Sequence, residues 1–318
     1  MGGTEVVRLA DTDREMTVCV APPAGNLAFE FNVRGKNILW FPFRGPDEFK
    51  AAPVLCGIPF LAPWANRIDG DAYWVNDRKY TLNPLLGNLR RDANQRPIHG
   101  LLLFSGAWEL MSAEAGMESA SVTSRLPFWR HPELMAQFPF AHTISMTHRL
   151  CGGSLEVETR IENHATEPLP VAIGYHPYFQ LHDAPREEWK VHIAARAHLL
   201  LDEFLIPTGE RRPVAFADPY SLQEGKIDDV FTDLIRDGDA AARFSVTGKN
   251  EKITVAYGPK FPVAVIYAPV GRPFICFEPM AALTNPFNLA RRGVYGELQS
   301  IAPGGEWRES FRITPEGF

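Results

Sequence analysis

Five segments of this chain hold polar residues in surroundings too odd for ordinary packing. They are Asn66 and Arg67 in PFLAPWANRIDG, His99 in RPIHG, His176 in GYHPYF, Asp228 in KIDDVF and Glu278 in FICFEP. Two imidazoles, an arginine and two carboxylates suit acid/base chemistry on a neutral, polyhydroxylated substrate, of which a sugar is the natural example. Histidine is the readiest proton donor near neutral pH, because its unperturbed pKa of about 6.5 lets both protonation states be populated. His176 is followed by Pro177, which lacks a backbone donor and biases the histidine toward an extended conformation at a strand end or bend. His99 is followed by Gly100, which permits a sharp turn or the close approach of a ligand.

Glu278 closes the apolar run Phe274 to Phe277, and a pocket at that strand end would raise its pKa and improve it as a proton acceptor. Arg67 offers a planar fork of N–H donors to adjacent hydroxyls, and Asp228 can accept from two vicinal ones. Each residue also has a purely structural reading: a core histidine, a solvated strand-end glutamate, a salt-bridged arginine, or a helix-capping or turn aspartate. Trp64, Trp74, Tyr178 and Phe179 are candidates for an apolar platform under a pyranose, or for core.

The elements that must position these residues are strands. Apolar and charged residues alternate from Leu155 to Glu162, and the same period of two recurs over 27–33 and 144–150. Prolines (27) and glycines (25) are spread along the chain and punctuate short apolar runs, so no linker divides it. Helical periodicity is scarce, with short helices expected at Pro46 to Ala52 and near Tyr220 to Glu224. The pattern predicts an all-β chain, a large antiparallel β-sandwich with few short helices, as one domain over 1–318.

The 318 residues carry a net charge of -6 with no basic block, which argues against nucleic acid and anionic membranes as partners. No stretch is long and apolar enough to read as a secretory leader or a spanning helix, and a cytoplasmic protein is expected. Cys19, Cys56, Cys151 and Cys276 lie far apart and read as reduced, buried thiols. The nine histidines lack the spacing of a zinc site, and nucleotide-binding glycine motifs and a serine-hydrolase elbow are absent, so neither metal nor cofactor is expected.

Taken in order from about Leu27 to the C-terminus, the segments resemble the aldose 1-epimerase (galactose mutarotase) family. The resemblance implies a large antiparallel β-sandwich and a sugar site formed by Asn66, Arg67, His99, His176 with Tyr178 and Phe179, Asp228, and Glu278. It further implies interconversion of α and β anomers through ring opening, without a cofactor. Glu278 would be the general base toward the anomeric hydroxyl and His176 the acid toward the ring oxygen. His99 and Arg67 would hold ring-side oxygens, and Asp228 hydroxyls remote from C1. The chain departs from many members after the glutamate, where it reads Glu278-Pro279-Met280, and after His99-Gly100, where it continues Leu101-Leu102-Leu103.

Three other functions compete. A hexose-6-phosphate 1-epimerase would want clustered cations, for which Arg291, Arg292 and Arg67 are available. A glycoside hydrolase would use Asp228 and Glu278 as its carboxyl pair and leave the histidines idle. A non-catalytic carbohydrate-binding protein would use the same residues for recognition alone. The expected partner is a small monosaccharide, bound by a monomer or homodimer.

Overall fold

The computed structural model describes residues 3–318. Two antiparallel sheets dominate. The larger has nine strands, in the order Tyr220–Ser221, Lys190–His192, Ala242–Thr247, Lys252–Tyr257, Glu306–Glu316, Ser154–Asn163, His142–Cys151, Ser119–Pro127 and Glu109–Ala115. The smaller runs Pro207–Pro213, Ala195–Leu201, Ile227–Leu234, Val263–Ala268, Ile275–Met280, Gly174–Tyr175 and Phe60–Leu61, with Tyr178–Phe179 also paired to Ile275–Met280. A four-stranded sheet from Val7–Asp11 to Lys36–Asn37 packs into the same core.

The alternation read from the sequence has the physical outcome it implies. In Ser154–Asn163, Leu155, Val157, Thr159 and Ile161 face inward, while Glu156, Glu158 and Arg160 form an outer ladder of ion pairs with Arg149, Arg308 and Glu306. Between the sheets, Tyr175 meets Phe311 with ring centroids 4.7 Å apart, and Phe277 meets Phe244 at 6.3 Å. Successive side chains of a strand point to opposite faces. With Tyr175 and Phe277 turned into the core, His176 and Glu278 therefore turn out of it.

Among the described residues α-helices are confined to Pro46–Ala51, Pro132–Met135 and Pro286–Arg291, each opened by a proline whose missing N–H would have no helical partner. The helix expected near Tyr220 does not form. Tyr220 pairs with Val191 at the edge of the large sheet, and only Leu222–Glu224 turn, as a 3-10 segment stopped at Gly225 with φ 144°. Cys19, Cys56 and Cys276 are buried free thiols, but Cys151 is exposed, because it ends its strand at the turn into Gly152. Among the described residues no helix is long and apolar enough to cross a membrane.

Candidate active site

Sheet register alone brings the acid/base candidates together. Gly174 is opposite Met280, and Tyr178 is opposite Cys276, so the same register on both sides of the gap sets His176 opposite Glu278. The partner strand is broken at His176 and Pro177, where proline cannot donate to a ladder. On the other side Glu278 pairs with Val265, while Tyr267 pairs with both Cys276 and Asp228. His176, Tyr178, Glu278, Val265, Tyr267 and Asp228 thus share one sheet face by strand alternation.

Two loops cover that face. The segment through Asn66 and Arg67 lies beside the one through His99, with the His99 N–H donating to the Asn66 carbonyl at 2.8 Å and the Ile68 N–H to the Pro97 carbonyl at 2.9 Å. Asn66 and His99 have φ of 57° and 63°, a left-handed region that Asn and His enter more readily than most residues. Gly100 follows at φ 66°, where a Cβ would sit 2.1 Å from the Ala62 carbonyl oxygen, so only glycine lets the two segments meet.

Between sheet and loops opens a cleft of about 250 Å³, lined by all six predicted residues together with Leu55, Ile98, Tyr178, Val265 and Tyr267. Its floor is the His176–Glu278 pair, with Nε2 and Oε1 3.3 Å apart and only 6% and 1% of the two residues exposed. Glu278 Oε2, His176 Nδ1 and His99 Nδ1 are buried without a protein partner. The His99 ring meets the His176 ring edge-on at 5.5 Å, and Tyr178 stacks on His176 at 4.7 Å and 5°.

Burial governs the protonation of the floor. It holds His176 down to about 3 and His99 well below the usual imidazole value, the latter reinforced by His176 and Arg67. Burial, aided by the negative charge of Asp228, pushes Glu278 well above the carboxylate range, while Arg67 pulls against that rise. Asp228 itself stands exposed at the mouth but is flanked by protein, and partial desolvation raises it despite Arg67. The floor therefore resists net charge, while one proton can sit on either member of the pair.

Several expectations need correction in detail. Glu278 does not end its strand, which continues through Pro279 to Met280. Asp228 neither caps a helix nor sits in a turn; it is the second residue of Ile227–Leu234. Arg67 is both salt-bridged and in the cleft: its Nε donates to Asp92 Oδ2 at 2.7 Å and its Nη1 to Asn66 Oδ1 at 2.8 Å. Of the four aromatic candidates only Tyr178 reaches the cleft; Trp64 and Phe179 are core, and Trp74 lies under the Arg291 guanidinium at 4.9 Å. Tyr267 joins the lining beyond the residues expected from sequence, and its alternation with Val265 is the signal for it. Among the described residues no group of three or more His, Cys, Asp or Glu side chains is arranged to hold a metal ion.

Comparison with known proteins bears on the fold and the family. A galactose mutarotase-like protein from Clostridium acetobutylicum superposes with a TM-score of 0.85 over 99% of both chains at 18% identity. The GalM/aldose epimerase homologue from C. elegans gives 0.74 over 99% of both chains at 16% identity. These likenesses establish a shared fold. Escherichia coli (strain K12) YphB is 25% identical over 257 residues, 77% of this chain and 78% of that protein. The family model for aldose 1-epimerase matches residues 25–314, and the chain belongs to that family.

Proposed function

We propose that the protein is an aldose 1-epimerase that interconverts the α and β anomers of a free, unphosphorylated aldose. The observation that carries this reading is the 3.3 Å contact between His176 Nε2 and Glu278 Oε1 on the floor of the cleft. The anomeric hydroxyl and the ring oxygen of a hemiacetal are bonded to the same carbon, so an acid and a base set side by side can serve both at once. Glu278 takes the proton of the anomeric hydroxyl, and the electrons of that O–H bond form the C1 carbonyl. The C1 to ring-oxygen bond breaks, and the ring oxygen takes its electron pair and a proton from His176. Rotation about C1–C2 turns the other carbonyl face inward, and the reverse transfers close the ring.

Charge balance suits this scheme, although burial biases the resting pair toward neutral imidazole and carboxylic acid. The working pair is imidazolium with carboxylate, and the pair after ring opening is imidazole with carboxylic acid. Both have zero net charge, so the cycle proceeds without adding charge to a buried floor. Each positioned acid or base contributes about 10²- to 10⁴-fold, sufficient for hemiacetal chemistry without a nucleophile or cofactor. His99, Arg67 and Asn66 bind oxygens on the covered side of the sugar, and Asp228 binds hydroxyls at the mouth.

A free sugar fits better than a phosphorylated one. Among the described residues Arg67 is the only arginine or lysine lining the cleft and is paired with Asp92, while Asp228 and Glu278 line it as well. Arg291 and Arg292 lie outside the lining and pair with Asp77 at 2.6 Å and Asp69 at 3.2 Å. The histidine beside Glu278 leaves a glycoside hydrolase reading without a use for that residue. A cytoplasmic setting suits an enzyme of free monosaccharides. Polarimetry on freshly dissolved α-glucose and α-galactose, with their 6-phosphates alongside, tests the proposal. Mutarotation faster than the spontaneous rate for a free sugar is expected. No acceleration with any aldose, despite sugar binding, would leave a carbohydrate-binding protein.

A further inference from the structure

Arg67 is held by a residue that does not itself line the cleft. The Asp92 side chain is 8% exposed and divides its two oxygens between two tasks. Oδ1 accepts the backbone N–H groups of Asn94 and Arg96, both at 2.9 Å, which folds the 92–96 loop on itself. Oδ2 accepts Arg67 Nε at 2.7 Å. These bonds, with the Arg67 chain flanked by Asp92 on one side and Asn66 Oδ1 on the other, leave both N–H groups of Nη2 and one of Nη1 to a ligand. The Arg67 backbone is also fixed, its carbonyl accepting the Asn285 N–H at 2.8 Å. An arginine side chain has several rotatable bonds, and ordering one on binding costs affinity that prior anchoring avoids.

We infer that Asp92 is a positioning residue for sugar binding, which acts by locking the Arg67 guanidinium in the orientation the sugar requires. The inference rests on the proposed epimerase reading for its kinetic consequence, but not for its structural one. Two features support it. Arginine's fork gives directional hydrogen bonds only when its plane is fixed, and a carboxylate on Nε fixes it. Arg67 also opposes the upward shifts of Glu278 and Asp228, so its location bears on the protonation of the whole cleft.

Asp92→Asn separates the two tasks, since the amide oxygen can still accept from Asn94 and Arg96 while the amide nitrogen cannot accept from Arg67. The expected result for Asp92→Asn is a KM raised about tenfold with kcat reduced less, because binding shared by ground and transition state is lost. Added to Arg67→Ala, Asp92→Asn is expected to change KM no further, since the two act through one contact. The side-chain Nε–H resonance of Arg67 is expected to be protected from exchange in the wild type and to lose that protection in Asp92→Asn while the rest of the amide spectrum is retained. Wild-type KM in Asp92→Asn, or an undiminished further loss on top of Arg67→Ala, overturns the inference and leaves Asp92 as a loop staple. If the wild-type protein accelerates no mutarotation, the epimerase reading fails by itself. The Arg67 resonance then decides the positioning alone, with persistent protection in Asp92→Asn overturning it.

Discussion

The cleft and the interior beneath the nine-stranded sheet both bury imidazoles, and the two regions treat them alike up to a point. Burial lowers His176 to about 3 and His148 to about 4. Both residues have ring nitrogens without a protein hydrogen-bond partner. His148 is enclosed on the inner face of His142–Cys151, whereas His176 opens to a cleft beside a carboxylate. A depressed imidazole pKa therefore reports burial in either place. What distinguishes a site is a second titratable group within reach and room for a substrate between or above them.

The comparison breaks most visibly if the two regions respond alike to substitution. Glu278→Gln and His176→Asn are each expected to lower the catalysed mutarotation rate by about 10²- to 10⁴-fold, with the double variant little worse than either. His148→Leu should keep the wild-type rate in the same polarimetric assay. Equal losses at 148 and 176 would mean that packing, not proton transfer, sets the rate. Next in size, Asp228→Asn should raise KM roughly tenfold or more and affect kcat less, as hydrogen bonds to charged groups contribute about 1.5–3 kcal/mol. Initial-rate kinetics over a range of sugar concentrations would read that division.

The core histidine should show itself in stability instead. Its folded pKa of about 4 lies below its unfolded value of 6.5, so as pH falls through that window the unfolded chain gains a proton that the folded chain refuses. Stability contributed at neutral pH is thus lost toward pH 4, by about 2–3 kcal/mol at about 1.4 kcal/mol per pKa unit. Urea denaturation at pH 7 and pH 4.5 should show a smaller drop for His148→Leu than for the wild type. An unchanged drop would place the acid sensitivity elsewhere. Smallest of all, the double variant Arg291→Ala with Arg292→Ala should leave KM for free aldose unchanged and alter stability by no more than about 1 kcal/mol per exposed pair. A raised KM for a 6-phosphate substrate would bring those arginines into the site after all.

Much of this was legible from the chain. Alternation over 155–162 and 144–150 gave adjacent strands of the large sheet, and all six residues singled out for chemistry line one cleft. Where sequence and structure part, neighbours across strands outweigh neighbours along the chain. The Glu278 strand does not stop at its carboxylate, because Pro279 continues it and pairs with Ala264 of the neighbouring strand. Trp74 looked like a sugar platform but pairs with Arg291, a contact bridging more than two hundred residues. Asp92, in a polar loop, gave no hint of Arg67, because only folding brings the two together.

The cross-strand register of residues 176 and 278 carries a practical corollary for redesign. Their spacing is dictated by backbone pairing at the centre of a sheet, whereas Asn66, Arg67 and His99 ride on covering loops. If the proposed epimerase reading holds, grafting other loops onto this scaffold, with Gly100 retained, is a route to new sugar preferences that leaves the distance between residues 176 and 278 untouched.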